Sequence, residues 1–259
     1  MLRIKIRFGS VERSDNSVKK SSIVIPHEHG GWAMVSVPFL FGMLAGKPQW
    51  MHILLFLAWL FLYLSSYPFL QYVKRNTRAE HWVKWGLLYG LLAVICLVPP
   101  LISNPFLFYF GLPLFILLLV NVWHAKRKSE RAIINDLCAI LIFSMGGAAS
   151  YLFAGGEFDL TMSAIVLFSF LHFMGSAFFV KSVFRERENK RWTVYAHVYH
   201  GLLLFVPWLT GFPWMTIAYL FSTVRAFVYA GKAMRPWKAG IIEIIGAVQF
   251  LILSSSFIS

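Results

Sequence analysis

The stretch Pro26-His27-Glu28-His29-Gly30-Gly31-Trp32 sets two imidazoles and a carboxylate beside a glycine pair. Two residues apart, His27 and His29 project to opposite sides of an extended chain, so a shared metal needs ligands from elsewhere. His29 reads instead as a hydrogen-bond donor lining a cavity, and Trp32 as its wall or as an interfacial anchor. Asn135 and Asp136 follow the apolar run Ala132-Ile133-Ile134. They cap a helix start if they lie in its first turn; within the helix they become a costly polar pair that needs water or a partner. Lys181 and Arg185, at i and i+4, share one helix face and can converge on a single anion. Arg225 and Glu243 each lie inside an apolar stretch and form either a structural ion pair or part of a polar cavity. His172 sits deep in another stretch, where an imidazole is the natural group for moving a proton. His197 and His200 share a helix face without a nearby carboxylate, a weak metal pattern.

These groups are embedded in a very apolar chain. Of 259 residues, 58% are hydrophobic and 14% charged, against about 25% charged in a soluble domain. Such a chain belongs in a bilayer. A crossing takes about 20 apolar helical residues, and that ruler fits about nine times, over 30–47, 51–72, 83–103, 105–124, 133–154, 160–181, 194–210, 213–230 and 239–258. Runs such as Leu54 to Leu64 are apolar on every side, which excludes the alternating pattern of barrel strands. The fold expected is all-α, a polytopic membrane helix bundle.

The net charge of +13 comes from 24 Lys and Arg. With the connections assigned alternately to two sides, all of them but Lys47 and Arg225 gather on one side. Positive loops face the cytoplasm, so the N terminus is expected inside and the C terminus outside the cell (inner) membrane. The basicity reports topology and the bilayer as partner, and no nucleic-acid role is expected. Residues 1–25 lack the apolar run of a signal peptide and read as a cytoplasmic tail, partly disordered, before one integral membrane domain over 26–259. Cys96 and Cys138 are isolated and read as packing residues. An echo at a separation of 110 residues pairs Arg75 with Arg185, Trp82 with Trp192 and Tyr89 with Tyr199, which suggests two four-helix halves and a ninth helix.

The motifs PHEHGGWAMVSVPFLFG, YLSSYPFLQYVKR, RAIINDLCAILIFSMGGAAS, FFVKSVFRERENK and GIIEIIGAVQF resemble the YwiC-like family of bacterial multi-pass membrane proteins, over about residues 25 to 258. The resemblance carries over His29, Gly30 and Trp32, Tyr67 and Pro68, Asn135 and Asp136, Lys181, Ser182 and Arg185, and Glu243. It implies no established activity. More distantly, the architecture is similar to the UbiA-like intramembrane prenyltransferases, whose Asp-rich motifs hold magnesium and a prenyl diphosphate. Here YPFLQYVKRNTRAE has no aspartate, and VKSVFRERENKR offers Glu186 and Glu188 among five cations. Magnesium wants oxygen ligands, whereas Lys74, Arg75, Lys181 and Arg185 could grip a phosphate or carboxylate directly.

Three functions follow. The first is a UbiA-like bundle with a cytoplasm-facing cavity for an isoprenoid or anionic lipid, acting as a transferase. There Lys181 and Arg185 grip the head and Arg225 assists. Asn135 and Asp136 orient the acceptor or a metal, and His29 or His172 moves a proton. Lys74, Arg75, Glu243, Trp32 and Tyr67 complete the binding surface. The second is a transporter or lipid-translocating protein, and the third a membrane assembly subunit. The sequence names no cofactor.

Overall fold

The computed structural model describes residues 23–26, 29–75, 79–127 and 132–258. Expectations about the tail up to residue 22, and about His27 and Glu28, lie outside the described residues. So do the side chains of His29 and Arg75.

Ten α-helices make up the described chain: α1 (His29–Ala45), α2 (His52–Arg75), α3 (Ala79–Ser103), α4 (Gly111–Lys126), α5 (Ile133–Phe153), α6 (Leu160–Val180), α7 (Lys190–Leu203), α8 (Val206–Leu209), α9 (Met215–Tyr229) and α10 (Pro236–Ile258). A 3₁₀ turn over Pro105–Phe110 leads into α4, and a π turn over Lys181–Arg185 ends α6. No strand occurs among the described residues. Six segments are long and apolar enough to cross a membrane: His52–Lys74, Glu80–Ser103, Pro105–Lys126, Ile133–Phe153, Leu160–Arg185 and Pro236–Ile258. The chain is therefore a multi-pass helical membrane protein.

The expected count of nine spans meets shorter elements at α1, α7 and α9, of 17, 14 and 15 residues. At 1.5 Å per residue, α7 covers roughly 21 Å of a hydrocarbon core about 30 Å thick. The stretch expected over 194–210 is broken because Pro207 stands at the first turn of α8 and cannot donate to a continuing helix.

Within a bilayer apolar side chains gain little by leaving lipid, so close backbone packing holds helices together. Helix α1 lies against α5, α6 and α10. A Cβ on Gly42 would collide with the Gly147 carbonyl oxygen, and one on Gly147 would stand 2.6 Å from the Pro38 oxygen. The two backbones thus touch where both side chains are absent. Around this contact α1, α5, α6, α9 and α10 close a core that includes Phe41, Ile140, Ile165, Phe168, Tyr219 and Phe250. Helices α2 and α3 form an antiparallel hairpin beside it. Outward residues such as Leu87, Leu91 and Ile95 are exposed and apolar, as a lipid-facing surface requires.

The antiparallel order brings the C-terminal ends of α2, α4, α6 and α9 and the N-terminal ends of α3, α5, α7 and α10 to one end, here the basic end. At the opposite end, backbone and side-chain bonds tie the loops. Lys47 N donates to Ala154 O at 2.9 Å, and Asn104 Nδ2 to Leu152 O at 3.2 Å.

Candidate functional site

At the basic end Lys181 is the central cation. Its Nζ lies 2.7 Å from Asp136 Oδ2, with 7% and 23% of the two side chains exposed. The Trp192 ring stands 5.3 Å away, centroid to Nζ. One amine thus joins α5, α6 and α7. Asp136 reaches it from the first turn of α5, whose preceding residue Ala132 offers no side-chain cap. A carboxylate there also suits the positive end of the helix, so one residue meets both the helix dipole and the Lys181 charge. A short charge-assisted bond of this kind is far stronger out of water than at a surface.

Arg185 does not join this pair. The turn from Lys181 to Arg185 closes i→i+5, with Glu186 N donating to Lys181 O at 2.8 Å, which changes the angular offset that α-helical spacing gives positions 181 and 185. Arg185 is exposed and lines an open cleft of about 230 Å³ with Phe184, Glu186, Arg187, Glu188 and Asn189.

Helix α2 turns Tyr63, Tyr67, Gln71 and Lys74 along one stripe, since spacings of four, four and three return to the same face. Trp32 packs edge-on against Tyr63 at 6.0 Å, and Tyr63 against Phe143 of α5 at 5.5 Å. Gly31 admits the Tyr63 hydroxyl where a Cβ would clash. Trp32 therefore forms part of an aromatic wall between α1, α2 and α5. Tyr67 and Lys74 are half-buried further along the stripe, and Asn135 and Lys74 both have polar partners. Gln71 Oε1 is buried without a hydrogen-bond partner among the described residues.

The other singled-out residues meet elsewhere. Arg225 Nη1 donates to Glu243 Oε1, joining α9 to α10, and the guanidinium lies 4.5 Å from the Phe179 ring centroid. His172 is buried and stacks on Phe250 at 4.2 Å. It lies nine residues before Lys181, or roughly 13 Å along the helix axis. The chosen residues thus divide into a cluster at the basic end and an interior cluster between α6, α9 and α10. His200 belongs to the second. Its Nδ1 lies 2.7 Å from Ala196 O, while His197 turns away to stack on Phe227 at 4.8 Å. Among the described residues no three His, Cys, Asp or Glu side chains are placed to hold a metal.

Sequence spacing missed three residues. Gln71 carries only a helical register, Trp192 stood out only through the repeat, and His200 looked like half of a metal pair. Their roles depend on which helices become neighbours.

The pattern of the YwiC-like protein family matches residues 25–151, which include the whole of α1, α2, α3 and α4. The protein YwiC of Bacillus subtilis (strain 168) is 39% identical over 236 residues, covering 91% of this chain and 98% of that protein. This chain belongs to the YwiC-like family. An uncharacterized protein of Haemophilus influenzae is 35% identical over 232 residues, 89% of this chain and 97% of its own length. The likeness to these relatives covers about nine-tenths of the YwiC-like chain. No solved structure matches it.

Proposed function

We propose that this YwiC-like protein binds the anionic head of an isoprenoid or lipid at the cytoplasmic side of the cell membrane, on a scaffold of UbiA-like four-helix halves with a ninth helix. The observation that carries the reading is the Lys181 amine, held out of water between Asp136 and Trp192 where α5, α6 and α7 meet. A cation so placed pairs with the Asp136 carboxylate, and a solvent-open cleft begins a few residues on, lined by Arg185 and Arg187. An incoming phosphate or carboxylate can compete with Asp136 for Lys181 while the guanidinium rim draws it from solution.

The apolar end of such a molecule has a matching surface. A groove of about 600 Å³ lies between α4, α5 and α6 in the half of the bundle away from the basic end, lined by residues including Tyr109, Phe158, Met162, Met145 and Phe170; Phe170 is eleven residues before Lys181, roughly 16 Å along the axis, a span an isoprenoid chain can bridge. In this reading Asn135 and Asp136 orient the second substrate, and the proton role falls to His29. His172 is roughly 13 Å further along α6, too deep for a head group at Lys181. Transferase chemistry would proceed with cations in place of the magnesium that Asp-rich motifs recruit. A second reading, a transporter without bond chemistry, is favoured by the interior cluster of Arg225, Glu243 and His172, because charges at such depth normally face a watery path.

Lipid extraction and native mass spectrometry of the full chain test the proposal, comparing wild type with Arg185→Ala and with Lys181→Met. Wild type is expected to retain a prenyl or anionic lipid species that both variants lose by at least tenfold. Equal retention of every species by all three proteins overturns the head-group assignment.

A further inference from the structure

Helices α6, α7, α9 and α10 enclose polar atoms that the basic end does not use. Arg225 is 3% exposed. Its Nη1 donates to Glu243, while Nε and Nη2 have no hydrogen-bond partner among the described residues. In a planar guanidinium those two N–H groups lie on one edge and point the same way, forming a two-donor fork for paired oxygens. The Phe179 ring against the guanidinium face holds that plane.

Other unpartnered atoms on buried residues stand near the fork. Ser222 Oγ is one turn earlier on α9, His172 Nδ1 is on α6 and His200 Nε2 is on α7. Helices α6, α7 and α9 pack against one another pairwise. Because His200 Nδ1 is within hydrogen-bond distance of the Ala196 carbonyl, it donates there, and Nε2 of the neutral ring is an acceptor. Glycines border the cluster: a Cβ on Gly175 would stand 3.0 Å from His200 Nε2, and one on Gly246 3.8 Å from Arg225 Nη1. Buried polar groups are rarely left unpaired, and several together mark a place for a hydrogen-bonding guest.

We propose that this interior cluster is a second binding site, for a small oxyanion group, a carboxylate or phosphate, seated on the Nε/Nη2 edge of Arg225. Glu243 already balances the Arg225 charge, so an anion alone would leave uncompensated charge inside the bilayer. The guest therefore enters as its acid. The O–H bond breaks, the proton moves to His200 Nε2 with formation of an N–H bond, and the oxyanion remains on the Arg225 fork. The titratable and charged groups facing this site are His172 from α6, His200 from α7, Arg225 from α9 and Glu243 from α10, while His197, one turn from His200, turns to Phe227. The site does not use Lys181, although the Phe179 ring under the guanidinium lies two residues before it, and so goes beyond the head-group reading.

The test uses the full chain in uncharged detergent, with thermal unfolding followed by tryptophan fluorescence. Sodium acetate or inorganic phosphate is titrated at constant ionic strength against chloride, and a third arm places phosphatidic acid in the micelles. Acetate or phosphate is expected to raise Tm saturably, and the acetate midpoint to rise by up to tenfold per pH unit between pH 6.5 and 8. A response confined to phosphatidic acid assigns the oxyanion to a lipid head. Arg225→Lys keeps a cation for Glu243 but lacks the fork, and should weaken the midpoint at least tenfold. If that variant does not fold, Ser222→Ala, which removes one hydroxyl, should weaken it severalfold. No response to any of the three additions overturns the site, as does an undiminished response in whichever variant folds; a pH-independent acetate midpoint overturns the proton step.

Discussion

Lys181 shows how the bilayer changes the worth of a single ion pair. At an aqueous surface an amine 2.7 Å from a carboxylate contributes about 0–1 kcal/mol. With the Lys181 side chain 7% exposed, removing the amine strands the Asp136 carboxylate, and breaking such a pair costs about 3 kcal/mol or more. Lys181→Met should therefore lower the thermal stability of the purified protein sharply. The double variant Lys181→Met with Asp136→Leu should recover most of that loss, because buried pairs replaced on both sides by apolar groups are near neutral. A double variant no more stable than Lys181→Met alone would mean that the amine acts through something other than Asp136.

At the scale of elements, much of the helical order was legible and the joints were not. Continuous apolar runs locate α2, α3, α5, α6 and α10, because bilayer thickness fixes their length. The pairing of Arg225 with Glu243 was one of two open alternatives, and the structure joins them. The i→i+5 turn after Val180 leaves no mark in the sequence, so α-helical spacing put Arg185 on the Lys181 face and the actual turn puts it on an exposed rim. The interior cluster was legible only as separate residues. His200 is 28 positions from His172 and 25 from Arg225, and only the packing of α7 against α6 and α9 makes them neighbours. The α1–α5 contact is similar, since its glycines say nothing of each other until the backbones touch. Gly42→Ala forces α1 away from the Gly147 carbonyl, an overpacking that costs about 1–3 kcal/mol. Gly111→Ala, with nothing within 4 Å of the added carbon, should be neutral or stabilising by up to about 1 kcal/mol. A Gly42→Ala protein that melts no lower than Gly111→Ala and wild type would show that helix α1 can shift without cost.

The whole molecule is polarised, with basic residues collected at one end and the Lys47 loop at the other. Lys and Arg resist transfer across the membrane, which argues for the positive end in the cytoplasm; under the proposed function a head group gripped there comes from the inner leaflet. Orientation is thus the premise on which the proposed substrate route depends. Single cysteines can read it in a background in which Cys96 and Cys138 are replaced. Lys47→Cys and Glu188→Cys both lie at exposed positions on opposite ends. A membrane-impermeant maleimide applied to intact cells should label Lys47→Cys at once and Glu188→Cys only after the membrane is opened. The reverse pattern would put the Lys181 cleft outside the cell, and the head group would then have to come from the outer leaflet.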